Sequence, residues 1–378
     1  MSTLGDDRRR AIEHSGWGEE FRLVQPHNLA FWVYCLLVIV GAVVVSGQIS
    51  IAAAAYSGAL ISGIIAFGLL AVAYLWFIHY EDRYTTVPPK LAAAGFVWGG
   101  VAAIGAFALL GNDAVMSLYA KAFGASFAFD WGAALTAPID EDLAKGAGIV
   151  LLVTLAPQLI RSPFDGLILG AFVGLGFQIS EDISYAFIGA ANAFGDVGAA
   201  WATIGVRTLA SIPSHWMYSG VFGAGLIWFI GRPDVPARKG LGAGLMVTAM
   251  LMHGLWDASA AIGGDSAFGS VVPLIVAGGI IAVFVWVYRA TVPIEREWMR
   301  ELMAPEVELG VVTPAELDAL AGSRSTLRSY IRSQPSRRAA EHVLEAATDL
   351  AHQLARDGGG DTAAVQRARA AVARARSA

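Results

Sequence analysis

Cysteine is nearly missing from this chain: Cys35 is the only one in 378 residues. An intrachain disulfide and a cysteine-built zinc site are therefore both excluded. Charge is scarce too, at 15% of residues, where soluble domains carry about a quarter. Lysine is the rarest of the charged residues, with Lys90, Lys121, Lys145 and Lys239 making the full set. No His-Glu-x-x-His occurs, so no single helix offers the paired imidazoles of that zinc motif. Nor does a glycine run end in Lys-Ser or Lys-Thr, so the abundant glycines are not read as a nucleotide loop. Neither nucleic acid nor nucleotide is an expected partner.

What fills the chain instead is apolar: hydrophobic residues make 56% of it, and the mean hydropathy is +0.57. That excess excludes a soluble enzyme, a secreted disulfide scaffold and a disordered regulator. Eight apolar stretches run at roughly 29–47, 57–79, 91–110, 134–156, 164–187, 208–230, 240–260 and 270–289. Each is near the ~20 residues a helix needs to cross a bilayer. Helices are the only plausible spanning element for such runs, because lipid leaves no partner for a free backbone group. The expected fold is thus all-α, a polytopic membrane bundle of about eight transmembrane helices with a soluble helical C-terminal tail.

The connections orient the bundle. Even ones carry Arg83 and Lys90, then Arg161, then Arg232, Arg238 and Lys239; odd ones carry only Lys121 and Arg207. With positive charge retained inside, both termini are expected in the cytoplasm. Residues 1–28, with Arg8, Arg9, Arg10 and Arg22, read as a cytoplasmic segment and not a cleaved leader. The membrane domain is expected over 29–289 and a cytoplasmic helical tail over 290–378. In that tail Thr313-Pro314-Ala315-Glu316 reads as a capping box, and helices are predicted over 336–356 and 362–376, split by Gly358-Gly359-Gly360. Arginine far outnumbers lysine and alanine and glycine abound, pointing to GC-rich coding and a bacterial plasma membrane.

Ionisable groups inside spans are costly and mark function by default. Span four holds Asp140-Glu141-Asp142 and Lys145, span five Glu181 and Asp182, span six His215 and span seven His253 and Asp257. With alternating helix directions, Glu141 lies about 10 Å and Glu181 about 9 Å below the same outer surface at ~1.5 Å per residue. His215 and His253 fall at the same level. Glu141 and Lys145, and His253 and Asp257, are i,i+4 neighbours. Lys145 can hold Glu141 or Asp142 ionised, and Asp257 can orient His253. Such a set can activate water in two ways: a glutamate base with imidazoles at the oxyanion, or a bound metal. Arg207 is expected to snorkel at the interface and Asp182 to face outward or to water.

Four motifs occur in order: Pro138-x-x-Glu141-Asp142-x-x-Lys145, Gly174-x-Gly176-Phe177-x-x-x-Glu181, Arg207-x-x-x-x-x-Pro213-x-His215 and His253-Gly254-Leu255-Trp256-Asp257. Together they resemble the PrsW family of intramembrane proteases, which is grouped with the CAAX prenyl protease and bacteriocin-processing (CPBP) membrane proteases. Asp142 stands where that family has a second glutamate, and Asp182 where it usually has asparagine. The resemblance implies an intramembrane endopeptidase that hydrolyses a membrane-anchored protein near the extracytoplasmic face; the founding activity cuts an anti-sigma factor. Mapped onto this chain, Glu141 is the expected base, tuned by Asp142 and Lys145. Glu181, His215 and His253 hold a metal, zinc by expectation, or stabilise the oxyanion, and Asp257 orients His253. A metal-free, glutamate-activated water is the other form of the mechanism. A proton-coupled transporter or channel, and an inactive membrane scaffold, are the rival functions.

Overall fold

Apolar runs fold as helices here because each residue then satisfies its own backbone. A computed structural model of the protein describes residues 3–84, 87–264, 269 and 271–377, and among them there is no strand. Chain order gives α1 (Leu4–Ser15), α2 (Leu29–Ala55), α3 (Ser57–Glu81), α4 (Pro89–Val97), a π-helix (Trp98–Ala108), α5 (Leu109–Phe123), α6 (Ala125–Leu155), α7 (Pro163–Asn192) and α8 (Val197–Ala210). There follow α9 (His215–Ile230), α10 (Lys239–Gly263), α11 (Val272–Glu308), α12 (Pro314–Ala321), α13 (Arg324–Ser333), α14 (Arg337–Arg356) and α15 (Ala363–Ser377).

Among the described residues, six segments are long and apolar enough to cross a membrane: α2, α3, the continuous run Pro89–Phe123, α7, α10 and α11. The other two stretches expected to span are the ones that carry chemistry. The fourth stretch is α6, whose middle holds four charged residues between Asp140 and Lys145. The sixth is broken into α8 and α9 at residues 211–214. Pro213 accounts for the break, because it donates no backbone hydrogen bond and pushes residue 212 out of the helical region. Helix α9 has 16 residues, so it is about 24 Å long. Its first residue, His215, is therefore set inside the bundle.

Helix α7 is the axis of the bundle: 94% of its apolar window is buried, against 17% for α2 and for α11. Small residues let α9 lie directly against it. A Cβ on Gly170 would sit 2.1 Å from the Ser219 carbonyl oxygen, and one on Gly174 2.2 Å from that of His215. The start of α7 is fixed by a capping box in which Ser162 and Asp165 satisfy each other's backbone N–H groups.

The polar segments gather at one end. Arg83 donates to the carbonyls of Ala319, Leu320 and Gly322, and Arg161 to those of Glu13 and His14. Asp234 pairs with both His14 and Arg161. The connections at 82–84, 156–162 and 231–238 thus share a face with α1 and the tail. Fully buried Glu306, at the end of α11, receives Arg8 at 2.8 Å and Arg369 at 2.7 Å, tying α1 and α15 to the same carboxylate. The tail forms as its caps predict, with the Thr313–Glu316 box opening α12.

Candidate active site

At the opposite end, the π-helix and α5, α6, α7, α8, α9 and α10 enclose a cavity of about 330 Å³, into which α2 projects Gln48. Glu141, Glu181, His215, His253 and Asp257 line it. Asp142 and Lys145 lie just behind them, so all seven residues expected at the site converge.

Three ligand-type atoms, one each from Glu141, His215 and His253, lie within 4.8 Å of one another, and all three residues are buried. The two imidazole rings sit edge to face, with centroids 4.8 Å apart. His253 is oriented through Nδ1, which donates to Asp142 Oδ2 at 3.1 Å; a carboxylate only accepts, so the ring proton belongs there. That leaves the Nε2 lone pair facing Glu141 at 3.9 Å and Asp257 at 3.5 Å. The i,i+4 spacing singled out Asp257 as the orienting group, yet the carboxylate on Nδ1 is Asp142, brought across from another helix.

Lys145 is the hub on α6. Its ammonium reaches Asp142 Oδ1 at 2.7 Å and His215 Nδ1 at 3.1 Å, lies 3.8 Å from Glu141 Oε2, and rests 4.4 Å above the Phe177 ring. Donation to Nδ1 assigns the His215 ring proton to Nε2, which faces Glu181 Oε2 at 3.0 Å. Glu181 is thus in contact with one of the two imidazoles and outside the compact Glu141–His215–His253 group.

Two residues depart from their sequence reading. Arg207 does not snorkel: its guanidinium forks onto Glu181 through Nη2 and onto Asp182 through Nε, each at 2.5 Å. It also lies 4.2 Å from the Tyr185 ring centroid. Asp182 is not outward-facing but 1% exposed, because Arg207 neutralises it inside the bundle. Spacing alone does not separate an interfacial arginine from one folded back onto the preceding helix.

Asn112 is a site residue that the motifs do not contain. Its Nδ2 donates to Glu141 Oε1 at 2.9 Å, whereas Oε2 of the same carboxylate is buried without a hydrogen-bond partner. Asn112 lies just past the apolar stretch 91–110 and next to Asp113, so nothing in the sequence singled it out.

The donor set suits a metal on chemical grounds. Two imidazoles with a carboxylate is the ligand chemistry of catalytic zinc sites. Among the described residues, the carboxylates of Glu141, Asp142, Glu181, Asp182 and Asp257, with Asp113 at the cavity wall, outnumber the two fixed cations beside them, Lys145 and Arg207. A divalent cation would offset that surplus of negative charge. The orphaned Glu141 oxygen and the oriented His253 are what such an ion needs beside it.

A family model described as PrsW family intramembrane metalloprotease matches residues 87–288, the stretch that contains every one of these side chains. No curated protein and no solved structure matches significantly. The matched stretch covers more than half of the chain, which therefore belongs to the PrsW family of intramembrane metalloproteases and is a peptidase.

Proposed function

We propose that the chain hydrolyses a peptide bond in a membrane-anchored protein, with Glu141 as the base and the cut made near the extracytoplasmic face. The observation that carries this reading is the buried Glu141–His215–His253 group in a cavity at the end of the bundle remote from the tail. Arginine-rich connections share the tail's end, which supports a cytoplasmic assignment for it, and for both termini, in a bacterial plasma membrane. The substrate class is a membrane-anchored protein, an anti-sigma factor being one candidate.

Roles follow from which atoms are already occupied. Glu181 Oε2 is taken by Arg207 and His215. Glu141 has Oε1 fixed by Asn112 and Oε2 unclaimed, so Oε2 is the oxygen able to take a proton from water. The water oxygen adds to the scissile carbonyl carbon, and Glu141 returns the proton to the leaving amine. Asp142 holds His253 in one tautomer, and Lys145 keeps Asp142 and His215 in place. A zinc ion would be held by His253 Nε2, by His215 once its Nε2 gives up the proton it presents to Glu181, and by Glu181 as third donor. Bound there, zinc polarises the carbonyl and makes water more acidic. Ser214 makes no side-chain cap on α9 and lines the cavity with His215, so the first backbone N–H groups of that helix would be available to a developing oxyanion.

The test is Glu141→Gln in detergent-purified protein, assayed for cleavage and for zinc by plasma mass spectrometry. Cleavage is expected to fall at least ~100-fold with zinc retained, whereas His215→Ala and His253→Ala lose both. Zinc lost from Glu141→Gln would make Glu141 a ligand and remove it as the base. Full cleavage by that variant would sink the mechanism. Proton-gradient-driven uptake that depends on Glu141 would return the transporter reading.

A further inference from the structure

The active-site cavity has a side lobe that the hydrolytic machinery does not use. It opens between α2, the π-helix and α7, encloses about 60 Å³, and shares Gln48, Ile104, Leu109 and Ser184 with the main cavity. Its walls are apolar: Val45 and Ile49 from α2, Ile104 and Leu109 from the central run, Ile183 and Phe187 from α7. On α7 the residues facing the lobe, Ser180, Ile183, Ser184 and Phe187, form one i, i+3, i+4, i+7 stripe. Glu181 and Tyr185 are on the adjoining face and look into the main cavity. One helix therefore presents the chemistry and the lobe side by side.

Two features say what enters. The first is size. At roughly 10–15 Å³ per water-sized centre, the lobe takes about four to six heavy atoms. Leucine and isoleucine side chains, with four heavy atoms, fill it and valine, with three, fits inside it, whereas phenylalanine with seven and tryptophan with ten exceed it. The second is Gln48. The only other polar side chains in the outer half of α2 are Ser46 and Ser50, and Ser50 is bonded within its own helix; a carboxamide there is costly unless something pairs with it. The Gln48 side chain has no hydrogen-bond partner among the described residues, and it borders both lobe and cavity. A carboxamide offers one donor and one acceptor in the pattern that an extended peptide backbone presents.

We infer that the lobe is a substrate subsite which takes one branched aliphatic side chain next to the scissile bond, with Gln48 hydrogen-bonded to the substrate backbone. The inference rests on the proposed hydrolysis at Glu141 and adds the sequence preference to it. It also assigns an entry side: the lobe opens toward the α2–α7 flank, where few α2 side chains are buried.

The experiment profiles cleavage of a proteome-derived peptide library by the full-length protein in detergent, with cut sites read by mass spectrometry. Wild type is expected to select Val, Leu or Ile at one fixed position beside the cut and to disfavour Phe and Trp there. Phe187→Ala enlarges the lobe and is expected to raise the relative kcat/KM for Phe at that position about tenfold. Ile183→Phe fills it and shifts the preference to Ala and Gly. Gln48→Leu keeps the side-chain preference while lowering kcat/KM for all peptides about threefold to tenfold, the worth of one hydrogen bond. Cleavage with the same preference in Phe187→Ala and Ile183→Phe overturns the subsite and leaves the hydrolase reading intact. Absence of cleavage by wild type, or cleavage that survives Glu141→Gln, overturns the hydrolase reading and the subsite with it.

Discussion

At the scale of the residue, Arg207 shows how much one side chain carries. It is the single cation on Glu181 and Asp182, the second of which is almost fully buried. Arg207→Ala is expected to destabilise the protein by about 3–5 kcal/mol, because it strands a buried charge beside a like one. Arg207→Lys recovers only part of this, since a point-like ammonium does not reproduce the planar fork. Thermal unfolding in detergent checks it, and a lysine variant as stable as wild type would refute the fork argument. The same scale shows what was legible in the sequence. Glu141, Lys145, His215 and His253 could be found because motif and shared depth both point to them. Asp142 on His253 and Asn112 on Glu141 could not be. Each is a pairing between helices far apart in sequence, and helical spacing reports only neighbours on one helix.

At the scale of the element, the α7–α9 contact decides where His215 stands. Gly174→Ala would drive a methyl to 2.2 Å from the His215 carbonyl oxygen, so α9 must back away. Overpacking of this kind costs about 1–3 kcal/mol. Cleavage is expected to fall by more than that loss of stability explains, because a displacement of ~1 Å in a catalytic group costs about 100-fold. Gly278→Ala is the control: nothing lies within 4 Å of its added methyl, and activity should be unchanged. Equal activity in both variants would refute the claim that this contact positions the imidazole. Helix existence was readable from the apolar runs, and the tail helices from their caps. The break at 211–214 was not, because Ser211-Ile212-Pro213-Ser214 carries no charge and the stretch 208–230 is apolar enough as a whole to read as one span.

At the scale of the whole molecule, the tail and α1 are part of the bundle's base. Glu306 is shared by Arg8 and Arg369, so Glu306→Gln should loosen both ends of the chain at once. Trypsin is expected to cut at Arg367, Arg369 and Arg374 at least ~10-fold faster in that variant, from the lost charge-assisted bonds. Unchanged protection would place the docking energy elsewhere. The π-helix acts on the same scale. Its backbone pairs five residues apart, as where the Leu109 N–H meets the Ile104 carbonyl, and such stretches are rare at any length. Because each residue advances an α-helix by about 100°, this stretch works as a phase setting between the parts of the run on either side. Remove one residue from it and α5 turns by that angle: Asn112 swings off Glu141, Leu109 leaves the lobe, and catalysis and selectivity go out of phase together.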